Sequence, residues 1–190
     1  LLTGKKRLVN PETGKTFEGE WEEVKFSSFG NCIRGVSYKS TQISESENES
    51  TVRLLRSTNI QAGKLNDIDL VILPSNLIKP AQIMLKNDLA ICMANGSKKL
   101  VGKSAPFNEN KQAYTVGAFC AIFRPKTTSC HSLVKHVFKS VQYRHQLKVI
   151  LAGSAINNLK GSHIESMVIT LPVSIEEQQK IASVLTSADN

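Results

Sequence analysis

No run of this sequence is apolar over the length that a membrane-crossing helix needs. Its four cysteines (Cys32, Cys92, Cys120, Cys130) contain no C-x-x-C pair, which argues against a zinc ribbon, and a chain of 190 residues needs no disulfide framework. Cys92 and Cys120 fall in apolar, strand-like runs where packing is their default role, so the expected compartment is reducing and cytoplasmic. Positions 1–20 carry no secretory signal. There is no repeat of helical-array length, no glycine-rich methyl-donor loop and no helicase motif. Aromatics make up only 6%, with a single Trp. Acid is also missing from one long stretch. From Lys98 to Lys160, Glu109 stands alone against eleven Lys or Arg.

That last absence accounts for the whole net charge of +8, because the rest of the chain is slightly acidic. Such asymmetry suggests a polyanionic partner, first a nucleic acid and second an anionic membrane surface. A solvated basic face without a partner is the plain alternative.

The chain reads as α+β: many short strands, one long internal helix, a last strand and a C-terminal helix, without the regular βαβ alternation of a doubly wound sheet. Residues 1–18 are polar with turn signals at Asn10-Pro11 and Thr13-Gly14, and read as a linker. Trp21, Val24 and Phe26 open the first strand. The segment SESENES (44–50) is an exposed loop, Thr51–Leu55 a strand, and 65–73 an alternating run. Further strands are expected at 88–93 and 164–171, with a strand-like run at 114–123. Residues 131–150 read as one helix with Leu133, Val134, Val137, Phe138 and Val141 on its apolar face.

The C-terminal helix has the clearest start. Pro172 ends the preceding strand, and Ser174 with Glu177 forms an S-x-x-E capping box. Ile181, Val184, Leu185 and Ala188 then make an apolar stripe still running at Asn190, so its packing partner is expected outside this chain. LLTGKKRL (1–8) reads as the tail of another helix, with Gly4 as C-cap and basic residues at the negative end of the dipole.

Four loops carry chemistry. NGSKKLVGKSAP (95–106) imitates a phosphate-binding loop, but five residues separate Gly96 from Gly102, one more than the pattern G-x-x-x-x-G-K-[ST] holds. Pro106 also disfavours the helix that must follow. Nucleotide binding is therefore the weakest reading. What remains is a flexible loop with Asn95, Ser97, Lys98, Lys99 and Lys103. RGVSYKS (34–40), RSTN (56–59) and SAINNLKGS (154–162) share its character: a base, a hydroxyl and often an Asn between apolar runs. Lysines neutralise phosphates, while Asn and Ser reach base edges or phosphate oxygens. The candidate DNA-contacting residues are Arg34, Tyr38, Lys39, Arg56, Asn59, Asn95, Ser97, Lys98, Lys99, Lys103, Asn157, Asn158 and Lys160. Any one loop alone is explained by ordinary turn composition. Four together, beside the charge asymmetry, favour binding.

Catalysis finds little support. His131, His136 and His145 have no carboxylate partner nearby in sequence, and Asp67 and Asp69, read as sharing one strand face, lack a third acid or Lys. No metal site and no cofactor is expected.

The segments GEWEEVKF (19–26), RGVSYK (34–39), LLRSTNIQ (54–61), CMANGSKKLVGKSA (92–105), SAINNLKGSHIESMVITLP (154–172) and EEQQKIASVL (176–185) resemble, in this order, the DNA-specificity subunit of Type I restriction–modification enzymes. The resemblance implies a non-catalytic, β-rich target-recognition domain at 19–172. It makes 1–18 a linker and the end of a central conserved helix, and 173–190 the start of a conserved spacer helix. It further implies double-stranded DNA, a second target-recognition domain, and modification (methyltransferase) and restriction subunits as partners, with half of a bipartite target read here. The rival reading is a protein–protein adaptor that docks through Ile181, Val184, Leu185 and Ala188.

Overall fold

The computed structural model describes residues 1–108, 111–153 and 157–189. Glu109, the start of the fourth loop (154–156) and Asn190 lie outside the described residues. In chain order the elements begin with β1 (Trp21–Lys25), the single turn α1 (Phe26–Phe29), β2 (Gly30–Arg34), β3 (Thr51–Leu55), β4 (Ile60–Gln61), β5 (Lys64–Leu65) and β6 (Val71–Pro74). There follow β7 (Leu89–Cys92), β8 (Ser104–Pro106), β9 (Tyr114–Val116), β10 (Cys120–Pro125), α2 (His131–Val137), α3 (Val141–Ala152), α4 (Gly161–Glu165), β11 (Val168–Pro172) and α5 (Ile175–Ala188). The α+β reading holds.

The centre is a four-stranded antiparallel sheet in the order β2-β10-β7-β8. Its inner strand β7, beside the other inner strand β10, is buried on both faces, in keeping with its uniformly apolar sequence, LAIC. Leu89, Ile91, Ala121 and Phe123 face a core filled from α2, α3, α4, β1, β11 and α5. Ala90, Cys92, Cys120 and Ile122 face a second core with Leu55, Ile60, Phe107, Tyr114 and Val116. Beyond that lies a mixed sheet, β6-β3-β9, in which β3 and β9 run parallel. Its outer side closes over Val36, Val52, Leu54, Leu73 and Ile78.

Three expected elements are divided. The internal helix breaks after Val137, because the Ser140 side chain accepts a hydrogen bond from Tyr143 N–H (3.1 Å) and caps a new helix. Val141, now in the first turn of α3, is 80% exposed instead of lying on the apolar face. The run 114–123 is two strands around a turn at Gly117. The alternating run 65–73 is interrupted by Asp69 at φ 52°, so Asp67 and Asp69 share no strand face; Asp67 accepts from the Tyr114 hydroxyl instead (3.0 Å).

The two chain ends meet on the body. Leu1, Leu2 and Leu8 pack against the first core, and residues 1–4 form a turn with Gly4 at φ 69°. Ser174 caps α5, with its hydroxyl accepting from Glu177 N–H (3.2 Å). The Glu177 carboxylate does not complete the capping box; it is buried in a bidentate pair with Arg7 (2.8 Å to each oxygen). Part of the apolar stripe also has its partner here: Ile181 and Ala182 are buried in the first core and Leu185 packs at its edge. Ile181 is therefore not free to dock elsewhere, whereas Val184 and Ala188 are exposed.

Candidate nucleic-acid interface

The site forms at the end of the four-stranded sheet where β2 and β7 finish and β10 begins. Gly35 donates its N–H to Cys120 O (3.1 Å), Cys120 pairs with Cys92, and Cys92 donates to Lys103 O (2.9 Å). Gly35, Cys120, Cys92 and Lys103 thus stand side by side across four strands, a span of about 14 Å at the usual strand spacing. Glycine is required at position 35. A Cβ there would meet Gly117 O at 2.1 Å, so the loop after β2 and the turn after β9 approach each other backbone to backbone.

Two clefts open at this end, and they share Ala118, Phe119 and Cys120 as a wall. One, about 530 Å³, is lined by Arg34, Ala94, Asn158 and Lys160. The other, about 540 Å³, is lined by Tyr38, Arg56, Ser57 and Thr58. Further hydrogen bonds knit the loops together. Asn95 donates its amide to Ser57 Oγ (3.4 Å) and its backbone N–H to Asn157 O (3.3 Å), and Asn157 donates its amide to Gly96 O (2.9 Å). All four loops singled out in the sequence therefore meet on one face, although their members are as far apart as residues 34 and 160.

The individual residues separate by role. Arg34, Asn158 and Lys160 are exposed in the first cleft and Arg56 in the second, while Lys39, Ser97 and Lys99 are exposed on the same loops without lining either cleft. Arg56 is braced by one bond from its guanidinium to Asp69 O (2.6 Å). Tyr38 is half-buried against Val36 and its neighbours. Asn95 and Asn157 use their amides to hold the loops in register. Lys98 donates to Leu151 O (3.2 Å) in the last turn of α3. Lys103 is half-buried beside the Cys92 and Cys120 thiols.

Asn59 needs correction. It is 1% exposed, and its side chain accepts from Arg56 N–H (2.8 Å) and donates to Ile68 O (2.7 Å) and Asn66 O (3.2 Å). An amide so enclosed shapes the loop and cannot reach a duplex.

The resemblance to a phosphate loop is also resolved. A Cβ on Gly102 would strike Leu147 Cδ1 at 2.4 Å, and the Tyr143 hydroxyl donates to Gly102 O (2.8 Å). Side chains of α3 occupy the concavity that a phosphate would need. Burial pushes the thiols of Cys32 and Cys120 up to about 12 and raises that of Cys92, so these cysteines are protonated packing groups at neutral pH.

The sequence reading missed Phe119. It lies at the head of the shared turn and is 71% exposed. The only signal was its place, an aromatic two residues after a glycine inside a strand-like run.

The family model described as Type I restriction modification DNA specificity domain matches residues 18–190. The specificity subunit of the Type I restriction enzyme EcoKI from Escherichia coli (strain K12) is 35% identical over 93% of this chain and 38% of its own length. That of StySPI from Salmonella potsdam is 37% identical over 90% of this chain and 36% of its own. This chain therefore spans under two fifths of these relatives. The HsdS subunit from Thermoanaerobacter tengcongensis shares the fold, with a TM-score of 0.64 at 18% identity over 94% of this chain and 40% of that one. A chain solved in work on complex assembly and conformational transition of the type I R-M system gives 0.66 at 19% over the same shares. On the family model and the two curated relatives, the chain belongs to the Type I restriction modification DNA specificity domain family.

Proposed function

We propose that this chain is a target-recognition domain that binds double-stranded DNA and reads one half of a bipartite site, without catalysis of its own. The observation that carries the reading is the convergence of four distant loops on one sheet end, which places Arg34, Arg56 and Lys160 around a pair of clefts. In this reading Arg34, Lys39, Arg56, Lys99, Lys103 and Lys160 neutralise phosphates. Tyr38, Ser97 and Asn158 face the bases, and Asn95 and Asn157 keep the loops aligned. Residues 19–172 form the reading body. Residues 173–190 begin a spacer helix, and 1–18 connect to the conserved helix before it. The partners are a second target-recognition domain and the modification and restriction subunits, which supply methyl transfer and cleavage. A DNA-reading role fits the cytoplasm, where four free thiols remain reduced.

Selection from a pool of randomised duplexes tests this directly. The chain should enrich one short motif, and changing Asn158 to Ala should relax one position of it, since a good base contact discriminates by about 1–3 kcal/mol. Enrichment of no motif, with binding unaffected by Arg34→Ala and Lys160→Ala, would sink the reading.

A further inference from the structure

Phe119 is the most exposed aromatic side chain among the described residues, yet its backbone is among the best fixed. Its carbonyl oxygen accepts from both Met93 N–H (2.8 Å) and Ala94 N–H (3.1 Å). On either side, Gly117 donates to Leu55 O (2.9 Å) and Cys120 to Gly117 O (2.8 Å). The contact with Gly35 leaves the turn no room to relax inward. A large apolar ring is thus presented to solvent on a rigid mount, on the ridge between two clefts whose outer walls carry cations: Arg34 and Lys160 on one side, Arg56 on the other. A loop tip that merely tolerated an aromatic would not need its backbone held from three neighbouring segments.

Resting on the DNA reading above, we infer that Phe119 is an apolar wedge that enters a base step of the bound duplex and stacks on a partly unstacked base. The cationic clefts hold the backbone as it opens. Apolar wedges between base steps, flanked by cations on the phosphates, are a general way of reading a duplex through the ease with which it deforms. The duplex at this point is recognised by its stacking energy, and easily opened pyrimidine–purine steps are preferred.

The test compares two 24-base-pair probes, one fully paired and one with a single central mismatch that is already unstacked. It uses the wild-type chain, Phe119→Ala, Phe119→Trp, Arg34→Ala and Lys160→Ala. The exposed ring contributes little to the core, so the variants at 119 keep the fold, which far-ultraviolet circular dichroism verifies. Wild type should bind the mismatched probe about tenfold more tightly, the scale of one base–aromatic stack. Phe119→Ala should lose that preference while keeping its salt dependence, and Phe119→Trp should retain it. Arg34→Ala and Lys160→Ala should weaken both probes equally and keep the preference. A 2-aminopurine base beside the mismatch should brighten less with Phe119→Ala than with wild type. If Phe119→Ala binds both probes as wild type does, the wedge is refuted and the DNA reading survives. If wild type retains neither probe, both fall.

Discussion

At the scale of single residues, Arg7 and Glu177 show how a motif is legible in kind and misleading in partner. Ser174 caps α5 as its type and position indicate, and only tertiary structure reveals that the Glu177 carboxylate turns away to Arg7. The pair is asymmetric: Glu177 is fully buried, while Arg7 is a quarter exposed, lies 5.7 Å from the Trp21 ring centre and also donates to Gly19 O (2.9 Å). Removing the cation strands a buried carboxylate, whereas neutralising the carboxylate leaves a guanidinium that can turn to water. Arg7→Ala should therefore cost about 3–5 kcal/mol in urea unfolding, and Glu177→Gln clearly less. Equal losses would mean that the pair is not the clamp between the two ends. Asn59 teaches the same lesson from the other direction. Its residue type fits base reading, its neighbours in sequence fit a loop, and burial alone decides against contact.

Elements were legible wherever a local rule sets them. β3 matches its expected bounds, β7 lies within the apolar run, and α5 starts at its cap. The division of the internal helix was also written locally, in Ser140, but the apolar periodicity across the break concealed it. The pairing of β1 with β11 and the parallel pairing of β3 with β9 rest on contacts between distant residues, for which no local pattern exists. The packing of α5 on α2 yields a prediction. His136, 4% exposed, shares a hydrogen bond with Thr186 Oγ1 (2.9 Å), and its neighbours are Lys135, Lys139 and Asp189. Burial, then Lys135, lowers its pKa, and the attraction of Asp189 does not reverse that. The folded state thus binds a proton at His136 less readily than the unfolded state does. Stability is full above the ordinary histidine value of about 6.5 and falls as pH drops from there toward the lower folded value. Asp189 is itself held below the usual carboxylate range, by its hydrogen bond from Lys139 first, so it titrates in a lower window. Urea midpoints at pH 7.5 and 5.5 should differ, and His136→Gln should reduce the difference. An unchanged difference would assign the acid sensitivity to other groups.

At the scale of the molecule, the basic stretch 98–160 suggested a polyanion partner but not where its charge would lie. The structure distributes those eleven cations over several tasks. Arg124 pairs with buried Asp88 (2.7 Å), Lys98 donates to Leu151 O in α3 (3.2 Å), Lys139 holds Asp189 (2.7 Å) and Lys126 donates to Ser27 O (2.7 Å). Lys160 does face the clefts, where it is joined by Arg34 and Arg56 from outside the stretch. Charge asymmetry along a sequence and charge concentration in space are therefore different quantities, and only the second governs binding. β10 separates them cleanly. Its first residue, Cys120, lies at the clefts, while Lys126 follows its other end, about 20 Å away at the rise of an extended strand. Each phosphate-neutralising cation releases counterions and adds about one unit to the slope of log affinity against log salt. Arg34→Ala and Lys160→Ala should each reduce the slope for duplex binding by about one unit, whereas Lys126→Ala should leave it unchanged, although all three remove one positive charge. Equal slopes for the three variants would show that the chain holds DNA by net charge alone, with no preferred face.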